Sequence, residues 1–351
     1  MTNDPSRDTV SPDTVSTDTV STDTVSTDTV STDTVSTDIV YGLDASPSFQ
    51  EDARCFAAKR SGLYRSEDGG TSWEDAYESL DLGQPLATAA VSISPAFGRD
   101  QTVFAGVHGA VLRSTDGTQT WAAARLPSPP PFVISVVPSP DFERDGVVLA
   151  ATMEDGVFRS ADRGSHWSAW NFGLLDLNVL CLVASPDYAR DETLFAGTES
   201  GIFKSTNGGR AWREANLPPE WGPVLTLAVS AKSDDTRTVY AGTESFGLIR
   251  SLDSGATWEQ IQDPRVPETV NGVLLSDRSE RRPVVLVMGP ESVIFSGDRG
   301  HTWCPVDLKL KEGIHLTTVA APDGLQDGAL LLLGTDAGTV LRPRIGMTPG
   351  A

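Results

Sequence analysis

SEDGGTSW, residues 66–73, is the first of six copies of one short box. The others are STDGTQTW (114–121), SADRGSHW (160–167), STNGGRAW (205–212), SLDSGATW (251–258) and SGDRGHTW (296–303). Their shared frame is Ser-x-Asp-x-Gly-x-x-Trp. The tryptophans follow one another at intervals of 48, 46, 45, 46 and 45 residues. A fixed period in that range marks a radial or linear array of one supersecondary unit.

Each box follows a short apolar run and leads into an alternating one, which reads as strand, turn, strand. The Asp can accept N–H bonds from residues just ahead and hold a tight turn. These residues are Asp68, Asp116, Asp162, Asp253 and Asp298, with Asn207 able to make the same turn in the fourth box. Gly supplies the positive φ. The rings of Trp73, Trp121, Trp167, Trp212, Trp258 and Trp303 can each bury a large area against a neighbouring sheet. The second box departs from the frame, with Thr118 at the Gly position and Gly117 one residue early, and predicts a shifted turn.

The boxes resemble the Asp-box, or BNR, repeats of bacterial sialidases, sortilin-type receptors, xyloglucanases and photosystem II assembly factors. The in-phase matches span residues 41 to 346. The resemblance implies a β-propeller. It does not imply an activity, because in those families the box is a folding element. A fold hosts many functions, and function is argued from a site.

The 351 residues carry a formal charge of −21, of which the first 40 residues supply −7. An acidic surface repels nucleic acid and anionic membranes. Cys55, Cys181 and Cys304 are an odd number, far apart and beside apolar residues, and read as reduced core thiols. No apolar run reaches the length of a membrane span. The N-terminal MTNDPSRDTV has no hydrophobic segment of the kind that forms a secretory signal. The expectation is a cytoplasmic monomer that binds neither nucleic acid nor membrane.

Residues 1–38 form a low-complexity acidic tail of STDTV units, whose period of five fits neither strand nor helix. Residues 39–346 are the propeller and 347–351 a C-terminal tail. Seven inner strands are predicted at 40–45, 88–93, 133–137, 179–184, 224–229, 271–276 and 316–321. The fold class is therefore all-β: a seven-bladed propeller of four-stranded blades, six with Asp-box hairpins. After the first four inner strands a second signature recurs: SPSFQED from Ser46, SPAFGRD from Ser94, SPDFERD from Ser139 and SPDYARD from Ser185. There Pro stops the strand, the aromatic tucks beneath it and the Asp opens the next strand. Blade seven lacks a box and a fourth strand. The spacing predicts that an N-terminal strand near residues 24–34 closes it, in a tract rich in the β-formers Thr and Val.

Catalytic signals are weak. In sialidases, which the repeat resembles, arginines near the axis read a carboxylate beside a Tyr/Glu pair and an Asp. Here Asp44 is the only charged residue on the seven inner strands, and Tyr41 has no inner-strand Glu or Arg beside it. Paired-carboxylate hydrolysis needs two facing acids. His108, His166, His301 and His315 are scattered without metal-ligand spacing. No catalytic residue, metal or cofactor is assigned.

A basic residue precedes the box Ser at Arg65, Arg113, Arg159, Lys204 and Arg250, with Arg342 at the corresponding place in blade seven and Phe295 in blade six. Present in nearly every blade, these read as a ring of structural contacts; concentrated on a few, they would read as a docking patch. The connectors between blades are unusually apolar: LPSPPPF (126–132), WNFGLLDL (170–177) and LPPEWGP (217–223). Phe132, Trp170, Phe172, Leu174, Trp221 and Phe246, with Glu199 and Glu244 nearby, are the candidate protein-binding rim. Alternatively these rings seal the gaps between blades. The leading reading is a non-catalytic protein-binding scaffold or assembly factor. The competing class is a glycosidase- or sialidase-like hydrolase acting on carbohydrate.

Overall fold

The computed structural model describes residues 38–127, 129–232, 236–276 and 284–346. Seven antiparallel sheets follow one another along the chain, each with its strands in sequence order from the inside out. The inner strands are Val40–Ala45, Thr88–Ile93, Phe132–Pro138, Val179–Ala184, Val224–Val229, Gly272–Leu275 and Leu316–Ala320. Six sheets have four strands, and the seventh has three among the described residues. This is an all-β, seven-bladed propeller. The fourth strand expected for blade seven from residues 24–34 lies outside the described residues.

Second strands carry the core. Val103–Val107, Leu194–Thr198 and Val239–Thr243 are buried at every position, because a neighbouring blade covers each face. The recurrent Gly in these strands has a packing reason. A Cβ on Gly106 would come within 2.7 Å of the Val133 carbonyl oxygen, on the next blade's inner strand. Gly334 of blade seven has the same relation to Val40 of blade one, with 2.8 Å to the valine Cγ1. The first and last blades therefore meet as any other neighbours do. Phe49, Cys55, Leu330 and Leu332 form the core of that junction, with Trp73 packed against them.

The loop after each of the first four inner strands closes as one helical turn, at Phe49–Asp52, Phe97–Asp100, Phe142–Asp145 and Tyr188–Asp191. All four aromatics are buried. The Asp ends the turn and does not begin the strand. Its carboxylate accepts the leading Ser hydroxyl, as in Ser94 to Asp100 at 2.7 Å, and the N–H two residues on, as in Thr102 to Asp100 at 2.9 Å. Blade five lacks the Ser-Pro-x-aromatic signature in its sequence. Arg237, only 4% exposed, lies there instead and donates from Nη2 to Asp187 and Asp191 of blade four at 2.8 and 2.6 Å.

The six boxes share one hydrogen-bond pattern. The Ser hydroxyl donates to the Asp or Asn two residues on, at 2.8–2.9 Å. It accepts the N–H four residues on, at 2.7–2.9 Å. The fourth and fifth box residues both have positive φ. The shifted turn expected in the second box does not occur. Gly117 and Thr118 take φ 69° and 79°, against 72° and 85° for Gly69 and Gly70 in the first box. The buried Ser114 hydroxyl bonds the Thr118 N–H and holds Thr118 in register, in a backbone region that β-branched residues disfavour.

Candidate functional site

The basic residues before the boxes reach across to the next blade. Arg65 donates to Thr118 Oγ1 at 3.3 Å, and Arg113 to the Arg163 carbonyl at 2.6 Å. Lys204 donates to the Ser254 carbonyl at 2.6 Å, and Arg250 bonds the Arg299 carbonyl. In each pair the acceptor residue is one of the two with positive φ in the following box. Arg159 differs, with its guanidinium lying over the Trp170 ring at 4.5 Å. Phe295 stands at this position in blade six, whose neighbour, blade seven, has no box. These cations are occupied by structural contacts and do not form a free docking patch.

The propeller axis is lined by the inner strands. Asp44 is their one charged residue. Its Oδ1 accepts the Ala45 N–H and its Oδ2 the Ile93 N–H, both at 2.8 Å. Burial pushes its pKa up to about 6, against the pull of these bonds. No inner-strand acid faces it. Nearby, at the end of the axis that carries the Ser-Pro loops, a cavity of about 450 Å³ is lined by Ser92, Ile93, Val136, Val137 and Leu182. At the opposite end, a cleft of about 470 Å³ on the connector from blade one to blade two is lined by Tyr64, Asp75, Tyr77, Glu78 and Asp81. Tyr77 is fixed there by a 2.9 Å bond to Thr88. Among the described residues, no group of three or more His, Cys, Asp or Glu side chains is placed to hold a metal. The described residues contain no helix long and apolar enough to cross a membrane. Burial pushes the Cys55 and Cys181 thiols up to about 12, so neither is a ready nucleophile.

Sheet order places the hairpins between second and third strands at one end, with the blade-to-blade connectors; the boxes lie at the other. The candidate rim residues separate there into two groups. Leu174 is buried in the core between blades three and four, which corrects its assignment to a binding surface. Trp170 is half-buried between Arg159 and Arg210, and its carbonyl accepts the Trp212 indole N–H at 2.8 Å. Trp221 packs on the core of blades four and five, its ring 6.1 Å from that of Phe246. These rings seal gaps between blades, because each bridges two sheets.

Phe132 and Phe172 behave differently. Phe172 is 81% exposed and Phe132 52%. Leu175, 79% exposed, and the exposed Met153 and Leu177 were not singled out from the sequence. The signal for Leu175 was its place directly after Leu174, which it cannot follow into the core. Glu199 and Glu244 are exposed on adjacent hairpins, and Glu199 accepts the Asn178 side-chain amide at 3.1 Å.

No protein-family profile matches this chain, and no curated protein matches it. Solved structures do resemble its fold. The GH74 xyloglucanase from Xanthomonas campestris is 17% identical with a TM-score of 0.67, over 89% of this chain and 53% of that one. The chain thus spans about half the length of that enzyme. YCF48 bound to a D1 peptide is 17% identical with a TM-score of 0.63, over 88% of this chain and 94% of that one. YCF48 from Cyanidioschyzon merolae is 16% identical with a TM-score of 0.62, over 88% and 96% of the two chains. At these identities the likeness shows the fold, a propeller scaffold used both by hydrolases and by YCF48.

Proposed function

We propose that this chain is a non-catalytic propeller that binds a protein partner, as a scaffold or assembly factor. The observation that carries the reading is the concentration of exposed apolar side chains at one end of blade three. Of the eight large hydrophobic side chains exposed among the described residues, five belong there: Phe132, Met153, Phe172, Leu175 and Leu177. Exposed apolar side chains gathered in one place, with acidic residues around them, suit protein recognition better than carbohydrate hydrolysis. The axis supports the same reading, since Asp44 is the one charged residue on the inner strands, and none of them supplies a second carboxylate to act with it on a glycosidic bond. YCF48, with nearly the same span, has been solved with a peptide bound.

The test has two arms. Affinity purification of the native complex, with mass spectrometry, is expected to recover one specific protein in near-stoichiometric amount. Incubation with xyloglucan and sialylated oligosaccharides is expected to release no reducing sugar or sialic acid. Turnover of either substrate would overturn the non-catalytic reading.

A further inference from the structure

We infer that Phe132, Met153, Leu177, Leu175 and Phe172 form one docking strip, and that its occupant is a protein segment with an apolar centre flanked by lysine or arginine. The inference rests on the protein-binding reading and assigns its surface and the chemistry of its partner.

The strip is built from the inner strand outward. Phe132 opens the inner strand of blade three and is the register partner of Met153 on the second strand. The Phe132 ring also lies 4.5 Å from that of His108, on the hairpin of blade two. The connector 171–178 runs against the hairpin that begins at Met153. At one end, Asn171 Nδ2 donates to the Asp155 carbonyl at 2.8 Å, and its Oδ1 accepts the Val157 N–H at 2.8 Å. At the other, the Leu177 carbonyl accepts the Gly156 N–H at 3.0 Å, and Asn178 Oδ1 accepts the Glu154 N–H at 3.0 Å. Both ends of the connector are thus tied to one hairpin tip, and Phe172 and Leu175 project between them.

The connector is held, so the exposure of these side chains is not slack. Leu174 is buried beneath it. The Phe172 carbonyl accepts the Trp212 N–H of blade four at 2.8 Å. Asp176 accepts the N–H of Asn178 at 3.0 Å and that of Ser200, on the next hairpin, at 2.8 Å. A leucine and a phenylalanine fixed about four-fifths exposed on a rigid loop gain nothing in folding from their apolar surface. They do arrive at a partner without the cost of ordering the loop.

Charge decides the occupant. Segments 153–156, 170–178, 199–201, 217–223 and 244–247 contain no Lys or Arg, and the neighbouring Arg159 and Arg210 lie over the Trp170 ring. Glu154, Asp155, Asp176 and Glu199 lie beside or within the strip. A second copy presenting the same acidic face would be repelled, as would an acidic peptide. Lysine or arginine on either side of an apolar centre meets the carboxylates and leaves the strip for the apolar side chains.

The experiment uses the full chain as bait for a phage-displayed library of random peptides. Enriched peptides are expected to carry Lys or Arg around an apolar centre, and to bind more weakly as salt rises. The double substitution Phe172→Ser with Leu175→Ser should weaken them about tenfold or more while leaving the melting curve in place. Glu154→Lys should weaken them through charge alone, which keeps the test valid if the apolar double variant folds poorly. Absence of enrichment, acidic consensus sequences, or equal binding to the substituted chains would overturn the inference. So would self-association of the full chain that the double substitution abolishes, since the strip would then be a contact between copies. A native partner retained undiminished by the double variant would overturn this surface alone and leave the scaffold reading standing.

Discussion

Arg342, at the end of the third strand of blade seven, donates from Nη1 to Thr71 Oγ1 in the first box at 2.6 Å. The last blade thereby grips the first through the kind of contact that Arg65, Arg113, Lys204 and Arg250 make one blade on. This kind of contact therefore also joins the last blade to the first. Its strength varies with burial, because solvent competes for exposed bonds. Arg250→Ala removes a largely buried guanidinium that also pairs with Glu259 and should cost about 1–3 kcal/mol. Arg342→Ala removes an exposed contact and should cost less than about 1 kcal/mol. Urea denaturation of both variants checks the order.

Thr118 holds a conformation that its β-branched side chain disfavours, and five other boxes place Gly there. Thr118→Gly should relieve about 1 kcal/mol of strain, partly offset by loss of the 3.3 Å bond from Arg65. A small rise in melting temperature is expected. A fall would mean that the Arg65 contact outweighs the backbone.

Trp212 and Trp303 are the most buried of the box tryptophans, at 3% and 1% exposure. Replacing either with Ala should cost about 3–5 kcal/mol, whereas Trp73→Ala, half-buried, should cost less. Chemical denaturation provides the comparison. A Trp212→Ala variant with unchanged stability but altered partner binding would reverse the structural assignment.

Asp44 makes stability fall towards neutral pH. Burial raises its folded value to about 6, above the unfolded value of about 4. The folded state binds the proton more tightly, so this contribution is fully present below about pH 4 and is lost as pH rises through about 6. The melting temperature of the wild type relative to Asp44→Asn should therefore be higher at pH 4 than at pH 7.

The box carboxylates act in the opposite sense. Burial raises the Asp253 and Asp298 values, but bonds from Thr257 and Ser251, and from Thr302 and Ser296, outweigh it and hold both at about 2. Their contribution is present above about pH 4 and is lost as pH falls through about 2. Asn207 makes the equivalent turn without titrating. Asp253→Asn should accordingly reduce the loss of stability between pH 4 and pH 2, measured by denaturant midpoint.

The repeat by itself determined the architecture. Box spacing and the Ser-Pro loops are local features with local reasons, an Asx turn and a buried aromatic, and the second-strand Gly recurs with the same period although its reason, a close approach to the next blade's inner strand, is tertiary. Inner-strand positions followed from the same period. Tertiary structure alone decided what each side chain meets across a blade boundary. Thr118 kept the common turn because Ser114 beneath it overrides its backbone preference. The apolar connector WNFGLLDL looked uniform in sequence, yet Leu174 entered the core while Phe172 and Leu175 stayed out. Both ends of the connector are tied to one hairpin tip, Asp176 to the next hairpin and the Phe172 carbonyl to Trp212, so only one side of it can face the gap between blades. Partition of this kind depends on contacts between residues some 40 positions apart, as with Phe172 and Trp212, and no local pattern encodes it.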